Sequence, residues 1–314
     1  MSKAGSQNRV VDPVLTSVAI GYTNGAFIGH FLFPRVPVGV RGGTILEFGK
    51  EAFKRFAARR SPGSGTKRIR FGHEGKKFAL TQDSLEGVVP REELQDAEQT
   101  PGINLGSGAV TSTLDIMLNL LEDEQATIAR NPSNYSTSNK LDLTASSWRN
   151  PDRNPLEDIA AGRVAVANKI AKKPNTLALS ESAYEALRTN PHVSGKFSGI
   201  KASAITETDL AAVIGIERVV VGSALIEPVG GGEPAPTWGN DAVLAYTDIG
   251  SVADRGRPSY GYTYTLNGNP FVEPTYYDNN AKSWIYPVTY ERSPELTGVD
   301  AGYLFIGAGA DYTG

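Results

Sequence analysis

Cysteine is absent from this chain of 314 residues. That excludes disulfide staples and thiolate zinc sites, and it fits synthesis in a reducing cytoplasm. Histidine is scarce: His30, His73 and His192 lie far apart in sequence. No apolar run approaches the roughly 20 residues that span a bilayer. Met1 to Val14 holds no apolar core of signal-peptide length. Internal repeats are not visible. The sequence pI near 5.8 argues against a surface that is wholly a nucleic-acid footprint.

Charge is present in two opposed blocks. From Lys50 to Lys77 stand ten basic residues, among them Lys54, Arg55, Arg59, Arg60, Lys67, Arg68 and Arg70, against Glu51 and Glu74 alone. From Asp83 to Glu98 stand Asp83, Glu86, Glu92, Glu93, Asp96 and Glu98, against Arg91 alone. The chain as a whole carries only −3. Blocks of opposite sign on one chain suit head-to-tail contacts between identical copies, with like-charge orientations penalised. The expected inter-subunit contacts are therefore the loop cations named above, facing Glu92, Glu93 and Asp96 of a neighbour. A nucleic-acid stripe with Phe53, Phe56 and Phe71 as stacking platforms is the competing reading, and the adjacent acidic block argues against it.

Hydrophobic content is 40% and charged content 21%, ordinary for a chain that buries a core. Val10 to Val40 shows no sustained period. Within it, His30 to Val38 reads as an extended apolar arm, because Pro34 and Pro37 bias their predecessors away from helix; such an arm needs a covering surface, which a neighbouring copy can supply. Thr44 to Phe48, Arg68 to Phe71 and Lys77 to Leu80 read as strands of a long charged hairpin around the turn-forming Ser61-Pro62-Gly63-Ser64-Gly65. An isolated hairpin is marginal in water, so it too implies a partner surface.

The strongest helical pattern runs from about Thr111 to Arg130. Val110, Leu114, Met117, Leu118, Leu121 and Ile128 share one face, and Asp115, Glu122, Asp123 and Glu124 occupy much of the other. Asn131-Pro132 ends it. From Asn150 the pattern alternates. Asn154-Pro155-Leu156-Glu157 opens a helix to about Ala171. Ser180 and Thr206 cap two more, and Gly215 closes the second. Thr176 to Leu179, Val219 to Val221 and Val243 to Tyr246 read as strands, the last two as buried ones, with an exposed loop from Val229 to Pro236 between them. After Ser259 the pattern is β again, through Tyr260 to Tyr264, Phe271-Val272, Trp284 to Tyr286 and Tyr303 to Ile306.

Catalytic, cofactor-binding and metal sites are not indicated. Gly230-Gly231-Gly232 precedes no Lys-Ser, Lys-Thr or helix, so it reads as a loop and not a phosphate cradle. Ser107, His192 and Asp209 are the residue types of a hydrolase triad, yet no nucleophile elbow is present and no spacing joins them. His73 sits among cations that would repel a metal. Glu92, Glu93 and Asp96 read as a solvated or ion-paired face in preference to a cation site.

Six segments, taken in order, resemble the major capsid proteins of tailed bacteriophages, the Hong Kong 97-like family. They are Asp12-Pro13-Val14-Leu15-Thr16 with Gly21-Tyr22-Thr23-Asn24 and Leu32-Phe33-Pro34; Phe48 to Phe53; Arg59-Arg60-Ser61-Pro62-Gly63; Lys172 to Leu177; Trp238 to Tyr246; and Pro258 to Thr263. The resemblance implies an α+β fold with an N-terminal arm (1–40), an extended β-hairpin loop (41–82), a peripheral domain with a long spine helix (83–149 plus 259–314) and an α/β axial domain (150–258). It implies a non-enzymatic subunit that assembles with itself, as pentamers and hexamers, into an icosahedral shell in the virion. Portal, scaffolding and decoration proteins are the further partners it suggests, with packaged double-stranded DNA bound on the inner face without sequence specificity, and no membrane. No long N-terminal scaffold-like helix is expected. Some relatives cross-link loop lysines to asparagines of a neighbour; Lys67, Lys76 and Lys77 are present here without an identifiable acceptor. The rival readings are an encapsulin-type nanocompartment of the same fold and a soluble α/β enzyme.

Overall fold

The computed structural model describes residues 11–46, 75–97, 104–197, 201–228, 230–248 and 259–312. The first element is a helix that the sequence pattern does not reveal, α1 (Pro13–Gly21). Its signal is local: Asp12 Oδ1 accepts from Val14 N and Leu15 N, each at 3.0 Å, and Pro13 takes the first helical position. One helical turn, α2 (Gly29–Leu32), precedes strand β1 (Arg35–Val38). The stretch from His30 to Val38 is therefore part helix and part strand, and not an extended arm throughout. Its apolar side chains Leu32, Phe33, Val36 and Val38 are buried by this same chain, which removes the need for a neighbour there.

Strands β2 (Gly42–Leu46) and β3 (Gly75–Ala79) pair antiparallel, and β3 leads through Leu80 into β4 (Thr81–Pro90). Helix α3 (Arg91–Ala97) follows, then the long α4 (Leu105–Arg130), capped by Asn104 through Ser107 N at 3.0 Å. Next come β5 (Lys140–Asp142), α5 (Pro155–Ile170), β6 (Thr176–Ser180), α6 (Glu181–Thr189), α7 (Pro191–Ser194), α8 (Glu207–Ile214) and β7 (Arg218–Gly222). The caps fall where the sequence indicates: Asn154 before α5, Ser180 before α6, and a Thr206–Asp209 capping box before α8, which Gly215 ends in the left-handed region. Two short strands, β8 (Leu225–Ile226) and β9 (Ala235–Pro236), close the exposed glycine-rich loop into a small ribbon. The chain finishes with β10 (Ala242–Ala245), β11 (Gly261–Leu266), β12 (Phe271–Val272), β13 (Tyr276–Asp278), β14 (Ser283–Leu296) and β15 (Gly302–Ile306).

Two main sheets result. In the first, β14 is the axis: β4 pairs with it from Ser283 to Arg292 along one edge, while β13, β12 and β11 take successive stretches of the other, and β1 adds parallel to β11. The second has the order β5-β15-β10-β6-β7. Its core joins Leu177, Leu179, Val243, Leu244, Leu304 and Phe305 to Trp148 and to Ile159 and Val166 of α5. Strands β5 and β15 lie outside residues 150–258, so this sheet crosses the boundaries drawn from the sequence.

Helix α4 lies across the first sheet. Val110, Leu114, Met117 and Leu121 form one cluster with Val272, Val288 and Tyr290, and the half-buried Leu118 packs against it. This is the contact with the segments after Ser259 that the helical period implies. The opposite face departs from expectation: Glu122 is 2% exposed, whereas Ile116 and Leu120 face solvent. Leu114→Ala is expected to lower unfolding free energy by about 2–5 kcal/mol through transfer and cavity terms. Denaturant melts of the subunit check this, and a loss under about 1 kcal/mol would mean that the helix is not seated on the sheet.

Candidate functional site

The sequence points to contacts between copies, so the candidate site is a surface and the parts that aim it. The β2–β3 hairpin forms a two-stranded sheet of its own. Its base rests on the first sheet. Phe78 is buried and stacks on Tyr264, with ring centroids 4.8 Å apart, and Val36 and Val38 complete the contact. Leu80 N donates to Arg41 O at 2.8 Å. Arg41 makes a forked pair with Glu291, Nε to Oε2 at 2.5 Å and Nη2 to Oε1 at 3.0 Å. The hairpin base thus has a partner surface within its own subunit. The expected contact residues Lys54, Arg55, Arg59, Arg60, Lys67, Arg68 and Arg70 lie outside the described residues.

The acidic half of the expected contact is described. Glu92, Glu93 and Asp96 sit on α3, and all three are exposed. Spacings of three and four residues bring Asp96 alongside both glutamates. Glu92 and Glu93 lie in the first turn, where the helix dipole favours negative charge. Arg91 Nη2 approaches Glu92 Oε1 at 3.3 Å. Two others of the acidic block, Asp83 and Glu86, are engaged within the subunit, and Glu98 lies outside the described residues. Asp83 takes a hydrogen bond from Arg292, and Glu86 accepts from Tyr276 Oη at 3.0 Å.

A second polar centre lies where α4 meets the arm, and the sequence reading missed it. Glu122 Oε1 accepts three hydrogen bonds: from Ile28 N at 2.8 Å, Gly29 N at 3.0 Å and Trp238 Nε1 at 2.7 Å. One carboxylate so ties the arm turn, the long helix and the loop before β10. Its donors lie 93 to 116 residues away in sequence, so no local pattern marks it. A Cβ on Gly29 would run into Gln125 Oε1 and Glu122 Oε2, so any larger residue there must displace these two buried side chains.

Beside this centre opens a cavity of about 330 Å³, lined by Tyr22, Phe27, His30, Arg35, Glu122 and Gln125 among others. Burial pushes the Glu122 carboxyl above its ordinary pKa, and the three N–H donors offset part of that. His30 is pushed below its ordinary value by burial and then by Arg35 and Arg218, against a hydrogen bond to the Phe27 carbonyl. Both effects favour neutral side chains. Among the described residues no cluster of metal-ligating side chains forms. Nor does any described helix have the length and apolarity to cross a membrane.

No family model matches the chain. Over 307 residues it is 32% identical to the major capsid protein of Burkholderia phage BcepMu, covering 96% of this chain and 98% of that one. Among solved structures, a phage-related protein from Bordetella bronchiseptica RB50 superposes with a TM-score of 0.84 at 41% identity, over 97% of this chain and 99% of that one. A chain from the capsid of the cyanophage P-SCSP1u superposes with a TM-score of 0.58 at 10% identity, over 98% and 93% of the two chains, a likeness of fold alone.

Two outcomes are expected at the Glu122 centre. Gly29→Ala forces the arm turn off α4 and lowers subunit stability by about 1–3 kcal/mol; an unchanged denaturation midpoint would mean that the arm seats independently of that turn. The second concerns pH. A folded pKa raised above the ordinary 4.5 gives a contribution that is complete below that value and lost as pH rises through the folded pKa. The stability of the wild type relative to Glu122→Gln should therefore fall between pH 4.5 and neutrality. Paired thermal melts across that range measure it, and a difference that grows with pH would show that the carboxylate charge stabilises the fold.

Proposed function

From the premise that the chain belongs to the phage major capsid proteins, established by 32% identity along nearly the full length of both chains, we propose that it closes as pentamers and hexamers into an icosahedral head shell around double-stranded DNA. The protein is a shell subunit of the virion. Encapsulin shells share the fold, so architecture does not separate the two readings; whole-chain sequence kinship does, and it lies with phage capsid proteins.

The role is structural, and assembly needs no cofactor. In this reading the arm comprises residues 1–40, the extended loop 41–82, the peripheral domain 83–149 with 259–314, and the axial domain 150–258. The loop cations Lys54, Arg55, Arg59, Arg60, Lys67, Arg68 and Arg70 meet Glu92, Glu93 and Asp96 of the adjacent copy. What supports this is the exposure of those three carboxylates on one short helix, at the end of the strand that leads out of the hairpin. Each exposed pair contributes only about 0.2–1 kcal/mol. Repetition around a closed shell makes the sum decisive. DNA on the inner face, and portal, scaffolding and decoration proteins, complete the set of partners.

The test is a double charge reversal, Arg59→Glu with Arg60→Glu. Subunits should remain folded by circular dichroism while closed particles disappear from electron micrographs at low salt. Normal particles at normal yield would remove these loop cations from the assembly contact.

A further inference from the structure

Side-chain alternation along β14 places two adjacent charged residues on opposite faces of the first sheet. On one face Glu291, 2% exposed at the side chain, holds Arg41 just before β2. On the other, Arg292, 1% exposed, pairs with Asp83 on β4 and with Glu124 on α4, the latter at 3.4 Å. The Arg292 guanidinium also lies 5.2 Å from the centroid of the Tyr290 ring, and Arg35 lies 5.4 Å from the same ring. Two adjacent buried charges are expensive to desolvate, and apolar residues of like volume commonly stabilise a fold as well or better. Their value is then geometric. The hairpin needs such a device because, among the described residues, no strand ladder ties β2 or β3 to the first sheet. Its direction depends on side chains at its base and on the chain through Leu80.

We propose that Arg41, Glu291, Arg292, Asp83 and Glu124 act together as positioning residues, a two-sided ionic clamp that fixes the direction of the β2–β3 hairpin relative to α4 and so sets the curvature at which copies join. The inference rests on the shell-forming reading given above. Arg41 holds the incoming strand and Asp83 the outgoing one, while Glu124 references both to the long helix. The fork of Arg41 fixes an angle as well as a distance, which the single ammonium of lysine does not.

Arg41→Ala is the primary test, because Arg41 is the most exposed member of the clamp. Amide exchange of residues 42–46 and 75–79 is measured on unassembled subunits, and particle diameters are measured by electron microscopy after assembly. The expected result is exchange about tenfold faster in the hairpin alone. With it should come particles of altered or mixed diameter, or open sheets, from subunits whose thermal transition remains cooperative. Arg41→Lys should recover particles but with a broader diameter distribution than wild type. Should Arg41→Ala not fold, Glu124→Gln, at a half-exposed carboxylate on the other side, is read in the same two ways. Unchanged hairpin exchange and unchanged diameters in a folded variant would overturn the clamp. A wild-type chain that forms no shells would instead overturn the assembly reading, while the exchange comparison would still decide the clamp.

Discussion

The ten-residue pairing of β4 with β14 is the constraint on which the rest of this subunit hangs. It runs from Ser283 to Arg292 on one strand and from Pro90 back to Thr81 on the other. Its alternation presents Val288 and Tyr290 to α4 and leaves the other edge of β14 for β13, β12 and β11. The hairpin leaves from one end of this pairing and the acidic helix α3 from the other. A slip of one residue would turn Glu291 toward α4 and Val288 away from it, exchanging apolar contact for buried charge. Register here is therefore set by a large burial energy, and the positions of the hairpin and of α3 follow from it.

The arm is integrated by a different principle. Its apolar residues Leu32 and Phe33 are fully buried, yet the link that joins it to α4 and to the loop before β10 is polar: one carboxylate with three donors. Gly29 N is shared between Oε1 and Oε2, at 3.0 and 2.9 Å, so both carboxylate oxygens take part in the tie, and the donors offset part of the upward shift that burial gives the Glu122 pKa. The neutral state favoured for His30 follows from the same low-dielectric surroundings. Burial shifts both groups toward their neutral forms at this junction. The clamp on β14 makes the opposite choice and keeps opposite charges in contact.

Much of this architecture is legible in the sequence. The caps at Asn154, Ser180 and Thr206, the stop at Asn131-Pro132 and the apolar stripe of α4 are local signals, each read from residues three or four apart. They give the long helix and the alternating segment with ends correct to within a few residues, six on the amino side of the long helix. The charge blocks are equally plain, since composition needs no geometry. Asp12-Pro13 carries the same kind of signal for α1, and only the lack of a sustained apolar period conceals it. The six ordered segments that resemble phage capsid proteins agree with kinship along the whole chain.

What tertiary structure alone decided is which polar residues lie inside. Glu122 reads as a surface residue among Asp115, Asp123 and Glu124, and it became buried because Ile28, Gly29 and Trp238, distant in sequence, meet at its carboxylate. Asp83 belongs to an acidic block by composition but serves Arg292, which reached it only once β4 and β14 paired. The sheet that unites Lys140–Asp142 and Gly302–Ile306 with the central strands is likewise a product of long-range pairing. Helical and strand periods depend on neighbours a few residues away, so the sequence determines them by itself. Burial of charge depends on donors brought from about a hundred residues distant, and the folded chain determines that.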